Sequence, residues 1–139
     1  IKYIVGTANL IHSVASISMA QDIEDYCKKI GHVSQDVLFQ VNISNDPNKL
    51  GFTENQLFTA IKMFENSDFI AVKGLMTILD FNLNDDQKRS CYQKLYKLGK
   101  RLSFLDAPEI SMGMSQDYQI AIDEGATLVR VGTSIFGPR

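Results

Sequence analysis

Two spacings of apolar residues alternate along this chain, one typical of strands and the other typical of helices. Short, nearly continuous apolar runs are separated by longer stretches in which apolar side chains recur every three or four residues. The runs predict five strands, at residues 10–14, 36–43, 69–79, 109–114 and 127–131. The stretches between them predict four helices, at about 17–30, after a capping box of Thr53 and Gln56, after a cap at Asp85, and at about 116–124 after a cap at Ser115.

The predicted strands and helices follow one another strictly, and no Asn-Gly or Asp-Gly hairpin signal separates two neighbouring strands. Because crossovers of this kind join parallel strands, we expect an α/β fold built on a parallel sheet. The pattern fits a doubly wound open sheet and part of a (β/α)8 barrel equally well. In both architectures, ligands bind at the carboxyl ends of the strands.

Composition narrows the classes of partner. The 139 residues suffice for one domain, and a net charge of -2 gives no electrostatic reason to expect nucleic acid or an anionic membrane as partner. No apolar run approaches the ~20 residues that span a bilayer, and no secretory signal opens the chain, so we expect a cytoplasmic protein. His12 and His32 stand alone, which predicts no metal site, and Cys27 and Cys91 are expected to be buried free thiols.

Two strand ends have the residues of an anion site. Ser115 offers a hydroxyl where a helix is predicted to begin, and Gly132 and Thr133 follow the last strand. Arg130 lies within that strand between apolar neighbours, where a charge needs a partner. The alternatives are that Ser115 is only a helix cap and that Arg130 forms a structural ion pair. Since the two ends are one helix apart and resemble the phosphate site of barrel enzymes, the pattern favours a phosphorylated ligand.

A long C-terminal motif carries a family resemblance. Ser111-Met-Gly-Met-Ser115, followed by Gly125-Ala-Thr-Leu-Val-Arg-Val-Gly-Thr-Ser-Ile-Phe-Gly137, resembles the signature of the YggS/PROSC family of pyridoxal phosphate homeostasis proteins, relatives of the N-terminal barrel of alanine racemase. Shorter matches occur in family order at Leu10–Val14, Gln40–Ser44 and Lys73–Met76. The resemblance covers essentially the whole chain.

The resemblance implies a (β/α)8 TIM-type barrel, of which this single domain of residues 1–139 would supply about strands four to eight. It implies that Ser115, Gly132 and Thr133 hold the phosphate of pyridoxal 5'-phosphate, that Arg130 faces the pyridine nitrogen, and that Met76 packs near the ring. Arginine is a donor only, so it leaves that nitrogen unprotonated and the ring a weakened electron sink. Such a site favours holding the cofactor over turnover.

Several departures qualify the resemblance. The family's Schiff-base lysine lies on a strand upstream of this chain, and Ala15 stands where the family usually has an aspartate. Lys49 is expected to be solvated or ion-paired, and Lys73 to lie too early in its strand to replace the missing lysine. The first residue, Ile1, suggests a fragment whose open sheet edges can associate, although the intact family is monomeric.

Three functions remain open from the sequence. The chain is expected to belong to a pyridoxal phosphate binding protein of cofactor homeostasis without substantial turnover. The alternatives are an amino-acid racemase-like enzyme on the same scaffold and an inert barrel fragment that lacks the reactive lysine.

Overall fold

A computed structural model describes residues 1–31 and 34–138. The strands are β1 (Leu10–Val14), β2 (Gln35–Gln40), β3 (Ile70–Met76), β4 (Glu109–Met114) and β5 (Leu128–Arg130). The helices are α1 (Ile17–Ile30), α2 (Glu54–Phe64), α3 (Asp85–Lys100), α4 (Tyr118–Asp123) and α5 (Thr133–Phe136). The five strands form one parallel sheet in the order β1-β2-β3-β4-β5. The predicted alternation of strands and helices is therefore confirmed.

The hydrophobic core lies between the helices and one face of this sheet. Val37 and Phe39 of β2 and Leu75 of β3 belong to it, together with Leu57 of α2 and Leu95 of α3. Residues of a strand alternate between the two faces, so the neighbouring positions point to the opposite face. The side chains on that opposite face include several polar groups, which form the site described below.

A contact between β1 and β4 decides the architecture. The Nδ1 atom of His12 lies 2.9 Å from the Oγ atom of Ser111, although two other strands separate β1 from β4. Neighbouring strands lie about 4.8 Å apart, so in a flat sheet these two strands would be about 14 Å apart. The sheet must therefore curl so that its polar face is concave. This geometry excludes a doubly wound open sheet and confirms the expected partial barrel.

Several element boundaries differ from the prediction. The strands β2, β3 and β5 are shorter than expected, because the chain turns out of the ladder into the ligand-side loops before the apolar run ends. Asn84, not Asp85, caps α3: its side chain accepts the N–H of Gln87, whose own side chain accepts the N–H of Asn84. The four-residue helix α5 was not predicted, since it is too short to show a periodicity.

Cys27 is buried and Cys91 is half-buried rather than buried; both are free, and burial raises the pKa of both thiols. Among residues 1–31 and 34–138, no group of His, Cys, Asp and Glu side chains is arranged to hold a metal ion. No helix in the same part of the chain is long and apolar enough to cross a membrane. His32 lies outside the described residues.

Gly113 fixes the distance between β4 and α4, and its replacement should be costly. Its φ is +91°, and an added Cβ would lie 2.5 Å from the Cβ of Ala121 and 3.0 Å from the Cα of Tyr118. Gly31 also has a positive φ but meets nothing within 4 Å. We expect Gly31→Ala to lower the free energy of unfolding by about 1 kcal/mol through backbone strain alone. Gly113→Ala should cost roughly 1–3 kcal/mol more, because α4 must move. Urea denaturation measures both, and equal losses would contradict this packing role.

Candidate functional site

A cavity of about 820 Å³ opens at the carboxyl ends of the strands, where both candidate architectures placed the ligand. Its wall is formed by the loop after β3, the loop after β4, the end of β5 with α5, and one face of α3. The structure brings Ser115, Arg130, Gly132 and Thr133, all predicted site residues, into this one wall. It also adds residues that sequence reasoning missed.

Arg130 is held in the concave face of the sheet by neutral oxygen atoms. Its Nη1 donates to the Oγ of Ser111 at 2.6 Å, and its Nη2 donates to the carbonyl oxygen of Thr77 at 2.8 Å. Within residues 1–31 and 34–138, no carboxylate oxygen lies within 4.0 Å of the guanidinium group. The structural ion pair considered from the sequence is therefore wrong for this part of the chain. Burial lowers the pKa of Arg130, and arginine nevertheless stays charged.

His12 and Ser111 extend this contact across the concave face. Ser111 is fully buried and hydrogen-bonds both Arg130 and the Nδ1 of His12. Burial lowers the pKa of His12, and the positive charge of Arg130 lowers it further. Neither residue was predicted to matter, because β1 and β4 are distant in sequence and in sheet order. The only sequence signal was a polar side chain at an inward position of each strand.

Ser115 does not cap α4, contrary to the prediction. The helix α4 begins at Tyr118, after Asp117, so Ser115 lies in the loop before it. The Oγ of Ser115 instead accepts the backbone N–H groups of Gly132 at 3.0 Å and Ser134 at 3.2 Å. A hydroxyl has one proton and two lone pairs. With both lone pairs engaged by N–H groups, the proton of Ser115 is free to be donated into the cavity.

The end of β5 leaves its backbone open to the cavity. A Cβ added at Gly132 would meet nothing within 4 Å, so no neighbouring group occupies the space beside this backbone. Thr133 begins α5 and is exposed. The strand itself is less buried than the sequence suggested, since Val129 is 37% exposed. The N–H of Gly132 is engaged by Ser115, so Gly132 offers room for close approach, and Thr133 offers its hydroxyl.

A tyrosine and an aspartate brace the loop that carries Ser115. Tyr92 of α3 is buried, lines the cavity, and donates its hydroxyl to the Oδ2 of Asp117 at 2.6 Å. The Oδ1 of Asp117 accepts the N–H of Met114 at 2.8 Å. Burial raises the pKa of Tyr92, and the bond to Asp117 raises it further, so the phenol stays protonated. Sequence reasoning missed Tyr92, which appears in the sequence as an ordinary residue of a helix.

The other residues considered from the sequence lie at different depths. Met76 is buried at the end of β3, next to Ser111 in register, but it does not line the cavity. Lys49 is half-buried in the cavity wall. Lys73 lies 3.8 Å from a carboxylate oxygen of Asp36, near the amino end of the sheet and away from the cavity. The packing of Met76 against a ring stays a prediction.

Known proteins of similar sequence identify the family of this chain. A family model described as the N-terminal domain of alanine racemase matches residues 2–139. The chain belongs to this family. Curated relatives named pyridoxal phosphate homeostasis protein include one from Aquifex aeolicus, 36% identical over 142 residues that cover 100% of this chain and 62% of the relative. Another, from Synechocystis, is 33% identical over 99% of this chain and 64% of its own length. The resemblance expected from the sequence is confirmed.

Solved structures agree with the partial barrel. PipY of Synechococcus elongatus superposes with a TM-score of 0.85 at 31% identity without pyridoxal phosphate, and with a TM-score of 0.84 at 28% identity in its structure with pyridoxal phosphate bound. Each match covers 96% of this chain and 63% of PipY. Alanine racemase from Corynebacterium glutamicum, at 16% identity and a TM-score of 0.68, shares the fold. The chain therefore spans a little under two thirds of the length of PipY and of the Aquifex and Synechocystis relatives.

The lowered pKa of His12 predicts how stability depends on pH. Because the folded protein binds a proton at His12 less readily than the unfolded chain, whose histidine has an ordinary pKa of 6.5, the free energy of unfolding should fall as pH drops below about 6.5. That loss continues until the folded pKa is passed. Urea denaturation between pH 7 and pH 5 should show that His12→Gln removes this part of the slope. Parallel slopes for wild type and His12→Gln would contradict the assignment.

Proposed function

We propose that this chain forms the phosphate and ring-nitrogen side of a pyridoxal 5'-phosphate site in a protein of cofactor homeostasis without substantial catalytic turnover. The observation that carries the proposal is Arg130, a half-buried cation that lines the cavity and has no carboxylate oxygen within 4.0 Å of its guanidinium group in the described residues. A partly buried charge that is held only by neutral acceptors is costly, so a ligand that accepts its remaining hydrogen bonds would offset that cost.

The cavity wall fits the phosphate end of this ligand. Phosphate oxygens are hydrogen-bond acceptors, and the free proton of Ser115 and the hydroxyl of Thr133 lie in the wall of the cavity. Gly132 donates its N–H to Ser115, and its missing side chain leaves room for the ligand to approach. Three N–H groups of Arg130 remain after its bonds to Ser111 and Thr77, because a guanidinium group has five. These donors match an acceptor-rich ligand, and their position after the last two strands is where barrel folds hold phosphate.

Arg130 also bears on reactivity. When bound, pyridoxal phosphate supplies an electron-accepting ring whose strength depends on protonation of its pyridine nitrogen. A guanidinium group can donate a hydrogen bond to that nitrogen but does not give up its proton. Ser111 and Thr77 accept hydrogen bonds from the guanidinium group and hold it in place. An acidic side chain at position 130 could not form these two bonds through a guanidinium group. This arrangement favours retention of the cofactor over amino-acid turnover.

A racemase-like enzyme on the same scaffold is the second candidate, since the cavity wall contains a tyrosine. Tyr92, however, donates its proton to Asp117, and its pKa is raised, which does not suit a general base. A third candidate is a barrel piece that binds no cofactor without a covalent lysine. Racemisation of alanine at enzymatic rates would favour the second candidate. Failure to bind the cofactor at all would favour the third.

Properties of the whole protein stay predictions. We propose one domain over residues 1–139 and a monomeric intact protein in the cytoplasm, as expected from the sequence and the family resemblance.

Substitution of Arg130 tests the proposed site. Arg130→Met should weaken binding of pyridoxal 5'-phosphate by at least about tenfold, because charge-assisted hydrogen bonds are lost, as measured by equilibrium dialysis or calorimetry. Arg101→Met is the matched control, since Arg101 pairs with Glu54 on the surface, outside the cavity. Circular dichroism checks that both variants fold, and Arg130→Lys supplies a second variant that keeps the charge. Unchanged affinity in Arg130→Met would argue that Arg130 only supports the fold.

A further inference from the structure

A second cation lines the cavity outside the C-terminal motif. Lys88, in the first turns of α3, is only 8% exposed, which is unusual for a lysine. Lysine stems often pack along apolar surfaces while the ammonium group reaches water. Here the residue lines the same cavity as Ser115, Arg130 and Thr133. The question is therefore which group interacts with the ammonium group of Lys88.

No partner for that ammonium group is found within the protein as the structure describes it. Over residues 1–31 and 34–138, Lys88 forms no salt bridge within 4.0 Å and no side-chain hydrogen bond. In the same residues, no fully buried side-chain nitrogen or oxygen lacks a hydrogen-bond partner. The Nζ atom must therefore retain some accessible surface. Because Lys88 is otherwise buried and lines the cavity, that surface faces the cavity.

The carboxylates of the cavity wall already have other partners. Asp117 accepts the hydroxyl of Tyr92 and the N–H of Met114. Asp80 accepts the N–H of Asn82 in its own loop. These hydrogen bonds come from neutral donors and leave both carboxylates charged, so the cavity wall presents three cations, at Lys88, Arg130 and Lys49, against two anions, at Asp80 and Asp117. The excess of positive charge favours an anionic ligand.

The fold places Lys88 beside the loop that carries Ser115. Lys88 and Tyr92 are four residues apart on α3, so they share one face of the helix, about 6 Å apart along its axis. The hydroxyl of Tyr92 reaches Asp117, which is two residues after Ser115. Because α3 follows β3, its first turn lies at the ligand side of the sheet. Lys88 therefore approaches the cavity from the side of the proposed phosphate site.

We propose that Lys88 is a further binding residue for the phosphate dianion of the ligand, in the same cavity as Arg130. The inference rests on the proposed function and adds to it a residue outside the Ser111–Gly137 motif. The empty pocket would hold an excess of positive charge that attracts phosphorylated ligands over their uncharged parents.

Lys88→Met tests this inference, because methionine keeps an apolar stem and removes the charge. Binding of three probes is measured by calorimetry: pyridoxal 5'-phosphate, pyridoxal without its phosphate, and inorganic phosphate. We expect Lys88→Met to bind pyridoxal 5'-phosphate and inorganic phosphate at least about tenfold more weakly, with pyridoxal affected less than twofold. Lys88→Arg should restore most of the affinity. Lys97→Met, an exposed lysine of the same helix outside the cavity, removes the same charge and should bind like wild type.

Stability without ligand separates a binding role from a structural one. Since Lys88 has no partner in the described part of the chain, Lys88→Met should leave the thermal midpoint unchanged or raise it; a clear fall would overturn the proposal. An equal loss for pyridoxal and its phosphate, or no loss for either, would also overturn it. If wild type binds inorganic phosphate but not pyridoxal 5'-phosphate, and Lys88→Met loses that binding, the proposed cofactor fails while the role of Lys88 stands.

Discussion

The guanidinium group of Arg130, held inside the curled sheet by oxygen atoms that carry no charge, is the constraint on which the rest of the structure depends. Its hydrogen bonds reach β4 through Ser111 and the end of β3 through the carbonyl of Thr77, and Ser111 continues the contact to His12 on β1. These bonds can form only if the sheet is curled, because a flat sheet would keep β1 and β4 too far apart. The site therefore forms only in a curled sheet, and its hydrogen bonds join the strands of that curled sheet.

Hydrogen bonds join the loops around this arginine to one another and to α3. Ser115 accepts two backbone N–H groups from the end of β5, which ties the loop after β4 to the loop after β5. Tyr92 and Asp117 tie the same loop to α3. The donors left free by these contacts face the cavity, so the protein prepares an acceptor-binding wall before a ligand arrives. Preorganised donors of this kind avoid the cost of rearrangement upon binding.

Much of this arrangement could be predicted from the sequence, and the misses have physical reasons. Apolar periodicity located every strand and the four longer helices, because burial on one or both faces leaves a regular pattern. It placed Arg130, Gly132 and Thr133 at the correct strand end. It misplaced Ser115 as a cap, since a serine before a helix can cap it or bond elsewhere with equal chemical ease. Lys88 was missed because its burial depends on contacts distant in the chain.

The concave face also explains why periodicity could not choose between an open sheet and a barrel. Both have strands covered on two faces, and only contacts between distant strands tell them apart. The polar residues at inward positions, His12 and Ser111, were the available signal, yet each alone resembles an isolated polar residue in a core. Their meaning depends on Arg130, and that pairing appears only in three dimensions.

The central claim is that Arg130 meets the pyridine nitrogen of pyridoxal 5'-phosphate and does not give it a proton. Nitrogen-15 NMR of the bound cofactor, labelled at that nitrogen, tests it most directly. We expect the chemical shift of an unprotonated, hydrogen-bonded pyridine nitrogen at neutral pH, and a change in that shift in Arg130→Lys. A shift typical of a protonated pyridinium, or one that is insensitive to Arg130, would contradict it.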